Sequence, residues 1–262
     1  LDMDSVESLV GDNTRALLPV HLYGRAADMD AAATLAEHHG LALVEDAAQA
    51  HFATTPGGDR VGSFGLGCFS FYATKNLMCG EGGVVTVNDP ELEQRMRILR
   101  NQGMLRRYEY EEPGYNLRLT DLAAALAIPQ FDQAESMISA RHRNAARLAT
   151  GLRDIPGLVL PNRREHPGHV WHQYTVSLNS EAAIDRVTLA AVLDQQGIGY
   201  GFYYPRAVYD YNCYRSHPGV VVDGSPRAEV AAANVISIPV HHHLTEAEVE
   251  RIVYVVRGAF GV

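Results

Sequence analysis

The residues able to do covalent chemistry gather around one amine. Lys75 lies in the stretch Phe69-Ser70-Phe71-Tyr72-Ala73-Thr74-Lys75-Asn76, and of the 22 lysines and arginines in the chain it is the only lysine. An arginine keeps its proton throughout the range in which proteins fold, whereas a desolvated lysine amine can lose its proton and attack a carbonyl to form a Schiff base. A chain that uses arginine for every other cation and keeps one lysine points to a need for a primary amine at that position. The same count, taken alone, also fits a surface lysine without a function. Two further groups of polar or glycine-rich residues flank it, Val44-Glu45-Asp46-Ala47-Ala48-Gln49-Ala50-His51 upstream and Gly80-Glu81-Gly82-Gly83 downstream. A carboxylate such as Asp46, judged by itself, is more often a cap or a turn residue than a catalytic group.

For these groups to meet, regular elements must carry them to one place. Arg15-Ala16-Leu17-Leu18-Pro19-Val20 reads as a short buried strand, Asp28 as the cap of a helix running to His39, and Gly40 as its C-terminal stop. Leu41-Ala42-Leu43-Val44 is a second apolar run of strand length, and it delivers Glu45 and Asp46 to its carboxyl end. Strand, helix and strand imply a parallel pair, and open α/β sheets bind ligands beyond the carboxyl ends of such strands. The segment from Pro56 to Gly67 reads as loop. Its Gly65-Leu66-Gly67 is not a dinucleotide fingerprint, because Ser70 stands where the third glycine would fall and no helix follows. Cys68 to Tyr72 is expected as a third strand ending at the Lys75 turn, and Val84 to Val87 as a fourth.

Downstream, the pattern predicts a helix from Pro90 through Arg100, an irregular connection over 101 to 118, and a long helix from Thr120 as cap toward Leu152 with Pro129 inside it. Beyond it, strands at 169 to 178 and 235 to 240 alternate with helices at 185 to 196 and 227 to 234. Thr245 with Glu248 forms a capping box for a terminal helix. These elements divide the chain into a large domain over 1–152, ending in the long linking helix, and a small α+β domain over 153–262.

A formal net charge of -9 argues against nucleic acid or an anionic membrane as partner. Cys68, Cys79 and Cys213 have no C-x-x-C spacing and fit a reducing cytoplasm, where we expect the protein to reside. The apolar runs are shorter than a membrane span and the N-terminus has no basic segment followed by an apolar core. No metal is expected. His241-His242-His243 invites that reading, but neighbours in extended chain point to opposite faces and no Asp, Glu or Cys completes a set. The tyrosines at 200, 203, 204, 209, 211 and 214 are expected to pack rather than stack on bases.

Taken together, Val44 to His51, Gly62-Ser63-Phe64-Gly65, Phe69 to Leu77 and Gly80 to Gly83 resemble the signature of the DegT/DnrJ/EryC1/StrS aminotransferases. The likeness extends to Pro19-Val20-His21-Leu22-Tyr23-Gly24, to Gly114-Tyr115-Asn116-Leu117-Arg118-Leu119 and to Tyr204-Pro205, so that the whole chain aligns with the family's later two-thirds. The resemblance implies an α/β protein of fold type I, with part of a large, mostly parallel-sheet domain that binds pyridoxal 5'-phosphate and a small C-terminal α+β domain. By the same resemblance Lys75 holds the cofactor as an internal aldimine and shuttles a proton once freed, the cofactor passing through its pyridoxamine form. Asp46 matches the carboxylate at the pyridine nitrogen, Gln49 the residue near the ring's phenolic oxygen, and Ser70 a donor to the phosphate. Asn116 matches a phosphate ligand contributed by the second subunit of a homodimer. Arg118 and Tyr204 match positions near a nucleotide-sugar.

The activity so implied is transfer of an amino group from glutamate or glutamine to a nucleotide-linked keto-sugar in amino-sugar biosynthesis. Three readings stand beside it: a regulatory protein that binds the cofactor, a catalytically impaired member, and a sugar dehydratase. Relatives with dehydratase chemistry carry His in place of the lysine, so Lys75 speaks against the last. Leu66, Ala73, Phe52 and Tyr203 depart from the family pattern, standing where Asp, Pro, Gly and His are common. The family also has a further segment ahead of the residue aligned with Leu1, with a loop for the phosphate and an aromatic that stacks on the ring. The chain is therefore expected to lack the family's N-terminal portion: either it is part of a longer polypeptide, or it has lost half of the cofactor cradle and is expected to bind the cofactor weakly at best.

Overall fold

The computed structural model describes residues 1–162, 166–222 and 224–262, which form two compact units. The first comprises 1–137 with 163–172, and the second 138–162 with 173–262.

The first unit is built on a four-stranded sheet in the order β1-β2-β3-β4, from strands β1 (Ala16–Leu17), β2 (Ala42–Asp46), β3 (Leu66–Ser70) and β4 (Gly83–Thr86). β1, β2 and β3 run parallel, and β4 returns antiparallel to β3. The first strand is shorter than the sequence predicts. Pro19 has no N–H for a ladder, and Val20 rejoins by a single parallel bridge to Asp46. Helix α1 (Met3–Leu9) precedes this sheet, and α2 (Met29–His39) crosses from β1 to β2. Asp28 accepts the N–H of Ala31 at the start of α2, and Gly40 ends it in the left-handed conformation, φ 63°, as expected. The apolar face of α2, Met29, Ala32, Leu35 and Ala36, is buried against Leu17 and Leu43 of the sheet.

Helix α3 (Pro90–Arg100) starts on its proline, with the Asp89 carboxylate accepting the N–H groups of Glu91 and Leu92. The stretch 101–118 is more ordered than the sequence suggests. It contains an antiparallel pair, β5 (Met104–Arg106) and β6 (Glu109–Tyr110), with an irregular register. Helix α4 (Asp121–Leu152) contains Pro129 and is capped by Thr120, whose Oγ1 accepts the N–H of Ala123. The sequence places the domain division at 152/153, whereas the compact units divide inside α4, after Met137. Residues 169–172, expected as the start of a strand, instead belong to an irregular strap over 166–172 in the first unit. There Val170 N–H donates to the Gly24 carbonyl and Thr54 N–H to that of Gly168.

The second unit contains an antiparallel sheet in the order β7-β8-β9: β7 (Leu158–Val159), β8 (Tyr174–Leu178) and β9 (Val235–Ile238). Its helices are α5 (Arg186–Gln195), the single turn α6 (Asn212–Arg215), α7 (Pro226–Asn234) and α8 (Glu246–Phe260). Alternation along β8 buries Tyr174, Val176 and Leu178 on one face. The predicted capping box opens α8, with Glu248 N–H donating to Thr245 Oγ1 and Thr245 N–H to the Glu248 carboxylate. His241, His242 and His243 lie at a turn rather than in extended chain, so the rings of His242 and His243 come within 3.9 Å of each other. Among the described residues no helix is long and apolar enough to cross a membrane, and all three cysteines are free.

Candidate active site

The site is assembled where β2 and β3 end. Parallel register sets Asp46, the last residue of β2, beside Cys68 of β3. Two residues beyond Cys68, β3 ends at Ser70 and the chain leaves the sheet in a closed excursion before returning as β4. Phe71 N–H donates to the Gly82 carbonyl, Cys79 N–H to Phe71, and Ala73 N–H to Gly80, which pins both arms of the excursion. Lys75 sits at its tip, in a tight turn closed by its own N–H to the Tyr72 carbonyl at 2.9 Å.

Three anchors hold this tip. Leu77 is buried in an apolar cluster with Phe71, Cys79, Ala127 and Ala134, the last two from α4. The Gln130 side-chain amide grips the Met78 backbone twice, donating to its carbonyl at 2.7 Å and accepting its N–H at 3.1 Å. Asn76 is buried, donates to the Val170 carbonyl and accepts from His172 Nδ1 at 3.1 Å, both on the strap. None of these anchors is foreshadowed in the sequence. Each joins positions at least 50 residues apart except Leu77 with its near neighbours, and an amide or an alanine carries no local sign of its partner.

Below the tip, Glu45 organises the loop leading into β3. Its fully buried carboxylate accepts N–H groups from Gly62 at 2.7 Å, Phe64 at 2.9 Å and Gly65 at 3.2 Å, and lies 3.1 Å from His21 Nε2. His21 Nδ1 accepts the Ala27 N–H at 3.0 Å, which places the ring proton on Nε2, donating to Glu45. Burial pushes the Glu45 pKa up, but the His21 and backbone hydrogen bonds outweigh it and hold the group below its ordinary value.

Lys75 is half-buried. Desolvation pulls the pKa of its amine below the ordinary lysine value, and the nearby Asp46 charge opposes the shift without cancelling it. The two residues singled out in the sequence for the central chemistry are therefore within electrostatic reach of each other. Asp46 also caps its own turn, Oδ1 accepting the Ala48 N–H at 3.0 Å. Gln49 is buried, and its Oε1 accepts the Tyr23 N–H at 2.7 Å. Ser70 Oγ accepts the Tyr72 N–H at 3.2 Å, which leaves its hydroxyl proton to point elsewhere.

The outlying residues are placed differently. Asn116 pairs with Asn101 through an antiparallel bridge, and Arg118 donates to Asn101 Oδ1 at 2.7 Å, so both are anchored at the end of α3. Tyr204 is exposed and belongs to the second unit. Sequence reasoning overlooked His51, which is buried and close enough to Lys75 for the lysine's charge to act on it. Its place in the quoted motif was a usable signal. Phe52, where the family commonly has glycine, adopts φ 65°, a conformation that glycine reaches without strain.

The chain is 41% identical over 260 residues to the dTDP-3-amino-3,4,6-trideoxy-alpha-D-glucose transaminase of Streptomyces venezuelae, covering 98% of this chain and 66% of that one. It is 37% identical over 254 residues to a UDP-N-acetyl-3-dehydro-alpha-D-glucosamine 3-aminotransferase of Acidithiobacillus ferrooxidans, covering 96% and 66% respectively. Its fold matches the crystal structure of Streptomyces venezuelae DesV in complex with a ketimine intermediate with a TM-score of 0.90 at 41% identity, over 98% of this chain and 68% of that one. The chain thus spans about two thirds of the length of these relatives. With the family's sequence profile matched over residues 1–257, the chain belongs to the DegT/DnrJ/EryC1/StrS aminotransferase family.

Proposed function

We propose that the chain carries the reactive core of a transaminase that uses pyridoxal 5'-phosphate, with Lys75 as the amine that holds the cofactor. The observation that carries this reading is the chain's only lysine, half-buried, with its amine pKa depressed by desolvation and a carboxylate, Asp46, as the charge acting on it. The donor set suits the cofactor family membership implies: an amine, a carboxylate, a buried amide and a hydroxyl with its proton to give. When bound, pyridoxal phosphate supplies an aldehyde for the amine and a ring that accepts the electron pair left when a proton leaves the substrate carbon.

The residues then divide the work. Asp46 would hold the pyridine nitrogen in its protonated form. Gln49, its oxygen engaged by Tyr23 N–H, would donate its amide N–H to the ring oxygen, and Ser70, its oxygen engaged by Tyr72 N–H, would donate its hydroxyl proton to the phosphate. Lys75 Nζ would hold the cofactor through its aldehyde and, as a free amine, would take up and return the proton of the substrate carbon. The anchors at Asn76, Leu77 and Met78 hold that nitrogen in place through the exchange.

The substrate class we infer is a nucleotide-linked keto-sugar, with glutamate or glutamine as donor. It rests on the relatives, whose names describe transaminases of dTDP- and UDP-linked sugars. Asn116, Arg118 and Tyr204 are assigned to the phosphate and nucleotide-sugar, Asn116 acting in the site of a second copy. A second copy is supported by apolar side chains left in solvent near Asn116: Leu117 at 68%, Leu122 at 83% and Leu126 at 63% exposure.

The test uses the chain and its Lys75→Arg and Lys75→Ala variants. Added pyridoxal phosphate should give the parent chain a near-visible absorption band that shifts on adding glutamate, and borohydride should fix a pyridoxyl group on Lys75 by mass. Both variants should give no band while keeping the far-UV spectrum of a folded protein. A band retained by either variant refutes the role of Lys75. A band in the parent chain that ignores every amino donor favours the regulatory reading over transamination.

A further inference from the structure

The strap over 166–172 is tied both to Gln49 and to the Lys75 turn, yet no step of the proposed reaction uses it. On the Gln49 side, Oε1 accepts the Tyr23 N–H at 2.7 Å, and the next residue, Gly24, offers its carbonyl to the Val170 N–H at 2.9 Å. Gly24 has φ 94°, and a Cβ there would stand 2.9 Å from His172 N and Val170 Cγ2 and 3.2 Å from the Gln49 carbonyl oxygen. A glycine is what lets the strap come this close. On the lysine side, Asn76 is the chain neighbour of Lys75 and is 6% exposed. Its Nδ2 donates to the Val170 carbonyl at 3.4 Å, and its Oδ1 lies 3.1 Å from His172 Nδ1. With the amide nitrogen on a carbonyl, the amide oxygen faces His172, so His172 Nδ1 must carry the proton of this bond. Between the two contacts Trp171 is buried at φ 50°, its N–H donating to His169 Nδ1 at 2.9 Å and its ring stacked on that of His169 with centroids 4.0 Å apart. A tryptophan rarely adopts that backbone, and such strain persists where its surroundings over-determine it.

We propose that His172 is a positioning residue for Lys75: its hydrogen bond to Asn76 fastens the lysine turn to the strap, and the strap, fastened in turn to Gly24, fixes where the amine stands relative to Gln49. An amide held at both its oxygen and its nitrogen cannot rotate, and Asn76 shares a peptide bond with Lys75, so the lysine keeps only its own side-chain torsions. Without the donor on His172, Asn76 retains one long contact and a buried oxygen lacking its partner, which favours turning the segment toward water. The titratable groups in electrostatic reach of the amine, Asp46 at the end of β2 and the buried His51, lie on other elements and are left in place.

The inference rests on the reading of Lys75 as the functional amine only for its choice of target, and its test needs no cofactor. Because Lys75 is the only lysine, an arylating reagent such as trinitrobenzenesulfonate reports on it alone once peptide mapping separates it from the N-terminal amine. The rate of Lys75 labelling is measured against pH in the parent chain, His172→Phe and His172→Asn. Desolvation is what depresses the amine pKa, and a loosened turn gives the amine more water. His172→Phe keeps a ring and removes the donor, so the labelling midpoint should rise by about half a pH unit, slowing the reaction about threefold below the midpoint. His172→Asn places an amide N–H where Nδ1 stood and should restore the parent midpoint. Adding His172→Phe to Asn76→Ala should change nothing beyond Asn76→Ala alone, since the bond is already gone. A midpoint that stays put or falls in His172→Phe overturns the inference, as does a rise that His172→Asn fails to reverse, because a purely structural role alters stability and leaves the midpoint alone. Where His172→Phe lacks the parent circular dichroism, Asn76→Ala, which removes the same bond from its other end, is judged by the same midpoint. Failure of the parent chain to take up pyridoxal phosphate would instead strike the functional reading and leave the labelling result to decide on His172.

Discussion

Replacing Glu45 by glutamine changes one atom and should destabilise the first unit severely. Oε1 accepts from Phe64 and Gly65, and Oε2 from Gly62 and His21. An amide nitrogen in either position turns two acceptances into donor-against-donor contacts in a fully buried place. His21 cannot relieve this by moving its proton, because Nδ1 already accepts from Ala27. Two hydrogen bonds to a charged group, at about 1.5–3 kcal/mol each, put the cost at about 3–6 kcal/mol. That is a large part of the roughly 5–15 kcal/mol by which a domain is stable. Urea unfolding followed by circular dichroism measures it, and a loss below about 1 kcal/mol would refute the argument that this carboxylate organises the loop before β3. The pH dependence has a definite sign. The folded pKa of Glu45 is depressed, so its contribution is present above the unfolded carboxylate value of 4.5 and is lost as pH falls below it toward the folded pKa. The Glu45→Gln variant should therefore lose less stability on acidification than the parent chain.

Two further substitutions test how the strap and the Lys75 excursion are held. At Gly24, φ is 94° and a Cβ would stand 2.9 Å from both His172 N and Val170 Cγ2, so Gly24→Ala should cost about 2–4 kcal/mol from left-handed strain plus overpacking; an unchanged urea midpoint would show that the strap yields freely. Phe52 has φ 65°, and its ring meets Phe131 at 5.8 Å, so Phe52→Gly should be more stable than Phe52→Ala by about 1 kcal/mol, the reverse of the usual order of these residues, and equal unfolding midpoints would count against strain at this position.

Much of the fold was legible because its signals are local. Asp28 and Gly40 around α2, Pro90 at the start of α3, Thr120 before α4 and the Thr245–Glu248 box each satisfy backbone groups within a turn of themselves, so a short window contains both partners. Strand ends and long loops were less legible. Residues 169–172 of the strap share the alternation that continues into the following strand, but the strap's hydrogen bonds go to Gly24 and Thr54, more than 100 residues away in sequence, and the hairpin within 101–118 is short and irregular.

The same division holds at the site. The sequence alone determined the chemical types: one amine, the Asp46 carboxylate, Gln49, Ser70 and the motif spacing that marks the family, because identity and order along the chain are covalent facts. Only the tertiary structure decided how the amine is tuned. Desolvation of Lys75, its reach to Asp46, and the grip of Asn76 and Gln130 on its turn all depend on groups brought together through space. Electrostatic and hydration energies follow distance and burial rather than sequence separation, so the lysine could be found in the sequence while its proton affinity could not.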